Sequence, residues 1–167
     1  AIVDFASGLP TADHLHTNVA PDTTLIYSDR DPVCVEYGRE ILGATPNIHY
    51  FQADCRNPTQ FVSRPEVQAL LKGKRVAYVY WGISMYLSDE DIHSITREVY
   101  EFSAPDATLA FYVQPGDVSS SEGGASIDEL YRKLGDKLYF HNQPEFEELV
   151  KPWVADRLGY RTMEAWH

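Results

Sequence analysis

At 167 residues and 19.0 kDa the chain fits one domain, 1–167, long enough to bury a real core, and its 44% hydrophobic and 13% aromatic content excludes a disordered polymer. A formal net charge of −11 argues against nucleic acid or an anionic membrane as partner, because both are bound mainly through clustered Lys and Arg. No apolar run reaches the roughly 20 residues of a bilayer span and no signal-peptide pattern opens the chain, so a cytoplasmic setting is the default; Cys34 and Cys55, without CxxC spacing, read as reduced structural thiols.

The first strand-like run is IVDF, residues 2–5, and it ends in the small-residue turn ASGLPT. A nicotinamide-type G-x-G-x-x-G would need glycines at Ala6, Gly8 and Thr11, and two of the three are absent. Gly8 still allows a tight turn, whereas Pro10 fixes its own φ and removes a donor. Gly8 is therefore expected to carry any positive φ alone, with Thr11 or Asp13 capping the helix that follows.

The second strand, TLIYS, leads into YSDRDP. There Asp29 lies roughly twenty residues past Gly8, where a strand-end carboxylate suits a ribose diol. Asp31 is expected to cap the helix PVCVEYGREILG, which has Pro32 in its first turn and Gly43 as its stop. The third strand, IHYFQA, ends at ADCRNP, where Asp54, beside the backbone amide of Cys55, is placed to accept from an exocyclic amine such as that of adenine.

RVAYVYW is the fourth strand. The helix SDEDIHSITREVYEF follows, with Ser88 as N-cap and Ile92, Ile95, Val99 and Phe102 on one face. TLAFYVQ is the fifth strand, and the Gly- and Ser-rich run QPGDVSSSEGGAS after it reads as a loop, either a lid or acceptor-binding element or a plain connector. SIDELYRKLG and QPEFEELVKPWVADRLG then read as helices, and YRTMEAWH as a sixth, terminal strand. Nearly continuous apolar strands alternating with helices imply right-handed βαβ units and an α/β doubly wound, mostly parallel sheet, with ligands outside the C-terminal strand ends.

At those strand ends the order D-x-x-x-G, D-x-x-P and A-D-x-R resembles class I S-adenosylmethionine-dependent methyltransferases, which share a Rossmann-like fold. GLPTADHLH, IYSDRDPV and QADCRNP are similar to a bacterial methyltransferase family whose first loop reads G-L-P-T with a histidine five residues after the threonine, here His16. WGISMYLSDEDIHSITREVYEFSAPDATLAFY is similar to the fourth and fifth strands of leucine carboxyl methyltransferase-like enzymes, so the resemblance covers Ile2 to Gln114. It departs at Ala6 and Pro10, which occupy the outer glycine positions of the usual D-x-G-x-G-x-G. The loop looks shaped for the amino-acid end of S-adenosylmethionine, which has no pyrophosphate.

The resemblance implies that Asp4 and the backbone of Ala6, Ser7 and Gly8 face the methionine portion, that Asp29 holds the ribose with Arg30 flanking the adenine, and that Asp54 and Cys55 meet the adenine edge. The backbone of Tyr80, Trp81 and Gly82 would close on the methionine moiety. It implies methyl transfer to a small-molecule acceptor, with S-adenosylhomocysteine as product. Candidates for a general base, needed only where the acceptor must lose a proton, are His14, His16 and Tyr86. His14-x-His16 has no evident third ligand, so no metal is expected. The chain starts directly on its first strand and stops before a seventh, so it reads as truncated at one or both ends, with a sheet edge open to homo-oligomer pairing. The alternatives are a non-catalytic module that binds S-adenosylmethionine or a nucleotide on the same fold, and a nicotinamide or nucleotide-sugar enzyme on a similar sheet.

Overall fold

The five apolar runs become strands β1 (Ile2–Phe5), β2 (Leu25–Asp29), β3 (Ile48–Gln52), β4 (Ala77–Tyr80) and β5 (Thr108–Phe111). In the computed structural model, which describes residues 1–114, 122–135 and 137–166, they form one parallel sheet in the order β3-β2-β1-β4-β5. Parallel neighbours require crossovers, and the helices α1 (Leu15–Asn18), α2 (Pro32–Leu42), α3 (Pro58–Val62), α4 (Pro65–Leu71) and α5 (Asp89–Phe102) lie within them. Helices α6 (Glu122–Lys133) and α7 (Gln143–Leu149) follow β5. The α/β doubly wound sheet expected from the alternation is the one that forms.

Side chains alternate across each strand, so the sheet has two buried faces. Val3, Phe5, Ile26, Tyr78 and Tyr80 point to one layer, where Phe61, Val67, Ile92, Ile95 and Val99 cover them. Leu25, Tyr27 and Tyr50 point to the other, against Val35 of α2. Aromatic rings run across the first face: Phe5 stacks on Tyr80 at 4.6 Å and Tyr80 on Phe111 at 5.2 Å. Helix α5 follows its pattern. Ser88 and Asp91 form a reciprocal capping box, Ile92, Ile95 and Val99 are buried, and Phe102 packs at the margin. Asp31 caps α2 by accepting from the Val33 amide at 2.8 Å.

Four segments differ from expectation. Neither Thr11 nor Asp13 caps α1; His14 is the N-cap, because residues 11–14 form a turn in which the His14 amide donates to Thr11 and the Thr17 hydroxyl donates to Ala12 and His14. Of the run QPGDVSSSEGGAS, residues 115–121 lie outside the described residues, but from Glu122 onward it is helical. The i,i+4 pairs Asp128–Arg132 and Glu129–Lys133 support α6 against the cost of its glycines. The expected helix 143–159 ends at Leu149, whose carbonyl is taken by the Thr96 hydroxyl, while Pro152 supplies no amide to continue the turn. The described residues of YRTMEAWH, 160–166, make no strand. They end in a short 3-10 turn, Met163–Trp166, held by Arg161, whose guanidinium donates to the Leu158 and Ala165 carbonyls.

Two short helices went unread, α3 and α4, each opened by a proline, Pro58 and Pro65. On the edge strand β3, the outward carbonyls of Tyr50 and Gln52 accept from Arg39 (2.8 Å) and Arg64 (2.9 Å), which blocks that edge to another strand. Among the described residues no helix is long and apolar enough to cross a membrane. Phe5 is the most interlocked ring of the core, with Phe61 edge-on and Tyr80 stacked, so Phe5→Ala is expected to cost about 3–5 kcal/mol in urea unfolding.

Candidate functional site

The chain lays down β1, β2 and β3 in one direction and then returns to place β4 on the other side of β1, so the strand order reverses between β1 and β4. The loops past the C-terminal ends of those two strands flank the crevice that such a reversal opens.

The loop after β1 is held by backbone and by side chains from its neighbours. The Ser7 amide donates to Ser28 at 2.9 Å, and the Ser7 hydroxyl donates to the Asp4 carbonyl at 2.7 Å. Gly8 is gripped at both polar groups: its amide donates to Asp29 Oδ2 at 3.0 Å, and its carbonyl accepts from the Tyr50 hydroxyl at 2.5 Å. Gly8 does not carry the positive φ alone. Ala6 has φ 54° and Gly8 φ 63°, the alanine being held there by the bonds that fix Ser7 on both sides of it and β2. A Cβ on Gly8 would meet nothing within 4 Å, and the same is true of Gly82, φ 72°, in the loop after β4. Both glycines border open space.

Asp29 ends β2 with its carboxylate oriented by two amides, Gly8 on Oδ2 and Asp31 on Oδ1 at 2.9 Å. A carboxylate has about four acceptor positions, so two remain for a ligand. Arg30 is exposed just beyond it, and its carbonyl accepts from Gln52 at 3.1 Å. After β3, Asp54 Oδ1 accepts from the Arg56 amide at 2.9 Å and pairs with its guanidinium at 3.7 Å. Arg56 also donates to the Tyr86 carbonyl at 2.9 Å, tying this loop to the 3-10 turn Ser84–Tyr86. Cys55 turns its side chain into the core, where burial pushes the thiol up to about 12, so any ligand contact there falls to the backbone. Tyr80 is fully buried and its carbonyl accepts from Tyr112 in the β4–β5 pairing, so the loop proper starts at Trp81, half exposed with its ring 5.1 Å from that of Tyr112.

Beneath the first loop lies a polar cluster on the α2 side of the sheet. Burial raises Asp4 to about 7, partly offset by the Ser7 hydroxyl. The Tyr27 hydroxyl accepts from the His16 amide at 2.9 Å and lies 3.2 Å from His16 Nδ1; burial pushes this phenol up to about 12. His14 packs against the same ring at 5.3 Å, its Nδ1 buried without a protein partner and its pKa lowered first by burial and then by His16. The structure thus gathers His14 and His16 around Tyr27. Tyr86 sits apart from them in the turn after β4, its hydroxyl 2.9 Å from that of Tyr131. Among the described residues no group of three or more His, Cys, Asp or Glu is arranged to hold a metal ion.

Sequence reasoning missed the contacts that Tyr27, Tyr50 and Gly38 make around the first loop. The strand tyrosines look like ordinary core residues. The available signal was Gly38 in the middle of α2, where a glycine costs stability and marks a close approach.

Residues 1–166 match the model of a family described as S-adenosyl methyltransferase. No curated protein matches the chain. Among solved structures, a candidate methyltransferase from Thermobifida fusca YX superposes with a TM-score of 0.80 at 24% identity, over 93% of this chain and 59% of that one. A DUF574 family protein from Streptomyces avermitilis MA-4680 gives 0.77 at 25% identity, over 92% and 63%. LepI in complex with S-adenosylmethionine shares the fold at 17% identity, with a TM-score of 0.59 over 89% of this chain and 35% of that one. The chain spans about six-tenths of the length of the first two.

Asp4 makes stability depend on pH. The folded chain keeps its proton to about pH 7, whereas the unfolded chain releases it near the ordinary 3.8. The native state therefore binds more protons between these values, and stability falls as pH rises through that window. Asp4→Asn is expected to remove this part of the slope, read from urea unfolding midpoints at about pH 5 and about pH 7.5.

Proposed function

The chain belongs to the S-adenosyl methyltransferase family, and from that premise we propose that its strand-end loops bind S-adenosylmethionine and that the protein passes the methyl group to a small-molecule acceptor. The observation that carries the reading is the Asp29 carboxylate, held rigid at the end of β2 by the Gly8 and Asp31 amides with acceptor positions to spare. A ribose diol presents two adjacent donors, which such a carboxylate accepts together. The same negative charge would repel a 2′-phosphate.

The residues around it suit the rest of the cofactor. Asp54 and the backbone of Cys55, one loop further along the sheet, would meet the adenine edge, with Arg30 alongside. The Ala6 to Gly8 backbone and the loop from Trp81 to Gly82 flank the crevice where the methionine end belongs. Asp4, buried on β1 beneath the first loop, is the acidic side chain we assign to the methionine end.

S-adenosylmethionine supplies a methyl group on a sulfonium, a good leaving group. The chain's task is then to hold the two reactants in line and keep water away, which positioning alone can do. Where the acceptor must lose a proton, the candidates are His16, whose ring the Tyr27 hydroxyl orients at Nδ1 with Nε2 as its other nitrogen, His14 beside the same tyrosine, and Tyr86 after β4. The net charge of −11 disfavours a polyanionic acceptor. A cytoplasmic setting and self-association through the β5 edge belong to the same proposal.

Calorimetric titration with S-adenosylmethionine, S-adenosylhomocysteine and NAD tests the reading. The expected result is micromolar binding of the first two and none of NAD, with affinity falling at least about tenfold in Asp29→Asn. A folded chain that binds neither sulfur nucleotide overturns it, and binding without methyl transfer to any acceptor points to the non-catalytic module.

A further inference from the structure

We propose that Tyr50, seated in the space left by Gly38 and acting through the Gly8 carbonyl, is the positioning residue of the first cofactor loop, an inference that rests on the S-adenosylmethionine reading of that loop. Gly8 has a positive φ and no side chain, so its peptide is the part of the loop most free to change orientation. Two neighbouring strands remove that freedom. β2 takes the Gly8 amide through Asp29, and β3 takes the Gly8 carbonyl through the Tyr50 hydroxyl. The Asp29 bond alone leaves the carbonyl side of the residue free to turn.

The reach of Tyr50 depends on α2. A Cβ built on Gly38 would fall 2.2 and 2.3 Å from two ring carbons of Tyr50 and 3.4 Å from Cδ of Pro10. Any side chain at position 38 therefore forces the ring or the helix to shift, which disturbs the reach of the hydroxyl to Gly8. The same helix also holds the strand that carries the ring, since the Tyr50 backbone carbonyl accepts from Arg39 at 2.8 Å. Burial, and next the nearby Asp29 carboxylate, raise the phenol well above its ordinary pKa, so Tyr50 remains a donor across the neutral range. Tyr50 is buried, and its hydroxyl donates to the Gly8 carbonyl. Its effect on a ligand passes through the orientation of one peptide.

A double-mutant cycle on the full chain tests this, with Tyr50→Phe, Gly38→Ala and the pair. S-adenosylhomocysteine affinity is expected to fall about fivefold in Tyr50→Phe, the value of one hydrogen bond, and by a similar factor in Gly38→Ala. The double variant should be no weaker than Gly38→Ala, because a displaced ring has no bond left to lose. A purely structural role would instead lower the thermal midpoint and leave the affinity of the folded protein unchanged. Unchanged affinity in Tyr50→Phe, or losses that multiply in the double variant, overturns the proposal.

Amide exchange at Gly8 in the ligand-free chain reads the loop without any cofactor. Exchange about fivefold faster in Tyr50→Phe, with core amides unaffected, supports the positioning role, and equal exchange overturns it, even if the wild-type chain binds no S-adenosylhomocysteine and the cofactor reading itself fails. The same readout decides the matter should Gly38→Ala fail to fold.

Discussion

One hydrogen bond, from the Gly8 amide to the Asp29 carboxylate, joins the two halves of the site. It fixes the loop after β1 against the end of β2, and because the other oxygen of Asp29 accepts from Asp31, the same carboxylate also sets the start of α2. The side chain proposed to hold the ribose is thereby also the one that orients the loop beside it. Orientation is settled before binding, so little ordering entropy is lost when a ligand arrives.

The sheet makes this arrangement rigid. β1 lies between β2 and β4, hydrogen-bonded on both sides, and its side chains fill both layers. Val3 and Phe5 anchor it in the larger apolar core, while Asp4 points to the opposite face among Tyr27 and Tyr50. A carboxyl is poorly tolerated in such a layer, and the rise of Asp4 to about 7 measures that discomfort. Phenols and imidazoles around it supply partial polarity without adding a second negative charge.

Much of this was legible in the residues. The β-branched and aromatic runs marked every strand of the sheet, Ser88 and Asp31 announced their helices, and Asp29 and Asp54 fell at strand ends. What failed to show had a common physical origin in long-range contacts. Tyr50 reads as a core strand residue, and its bond to Gly8 spans 42 positions. Leu149 ends its helix because Thr96, 53 residues away, takes its carbonyl. YRTMEAWH has enough apolar residues to suggest a strand, but Arg161 folds it back on itself through local carbonyls. Local pattern determines which elements form, and partners remote in sequence decide where they stop and which side chains cross to another loop.

The left-handed alanine at position 6 bears on how freely this loop tolerates change. Holding Ala6 at φ 54° costs about 1–2 kcal/mol relative to a relaxed residue. A glycine would relieve that strain, yet it would also enlarge the unfolded ensemble by about 0.4–1 kcal/mol. The two effects oppose each other and leave a difference of about 0–1.6 kcal/mol in favour of glycine. Alanine in place of the glycine of the usual methyltransferase loop is therefore a net cost, but a small one beside the stability of a domain, and a departure that looks disqualifying in a string of letters is a modest step in free energy.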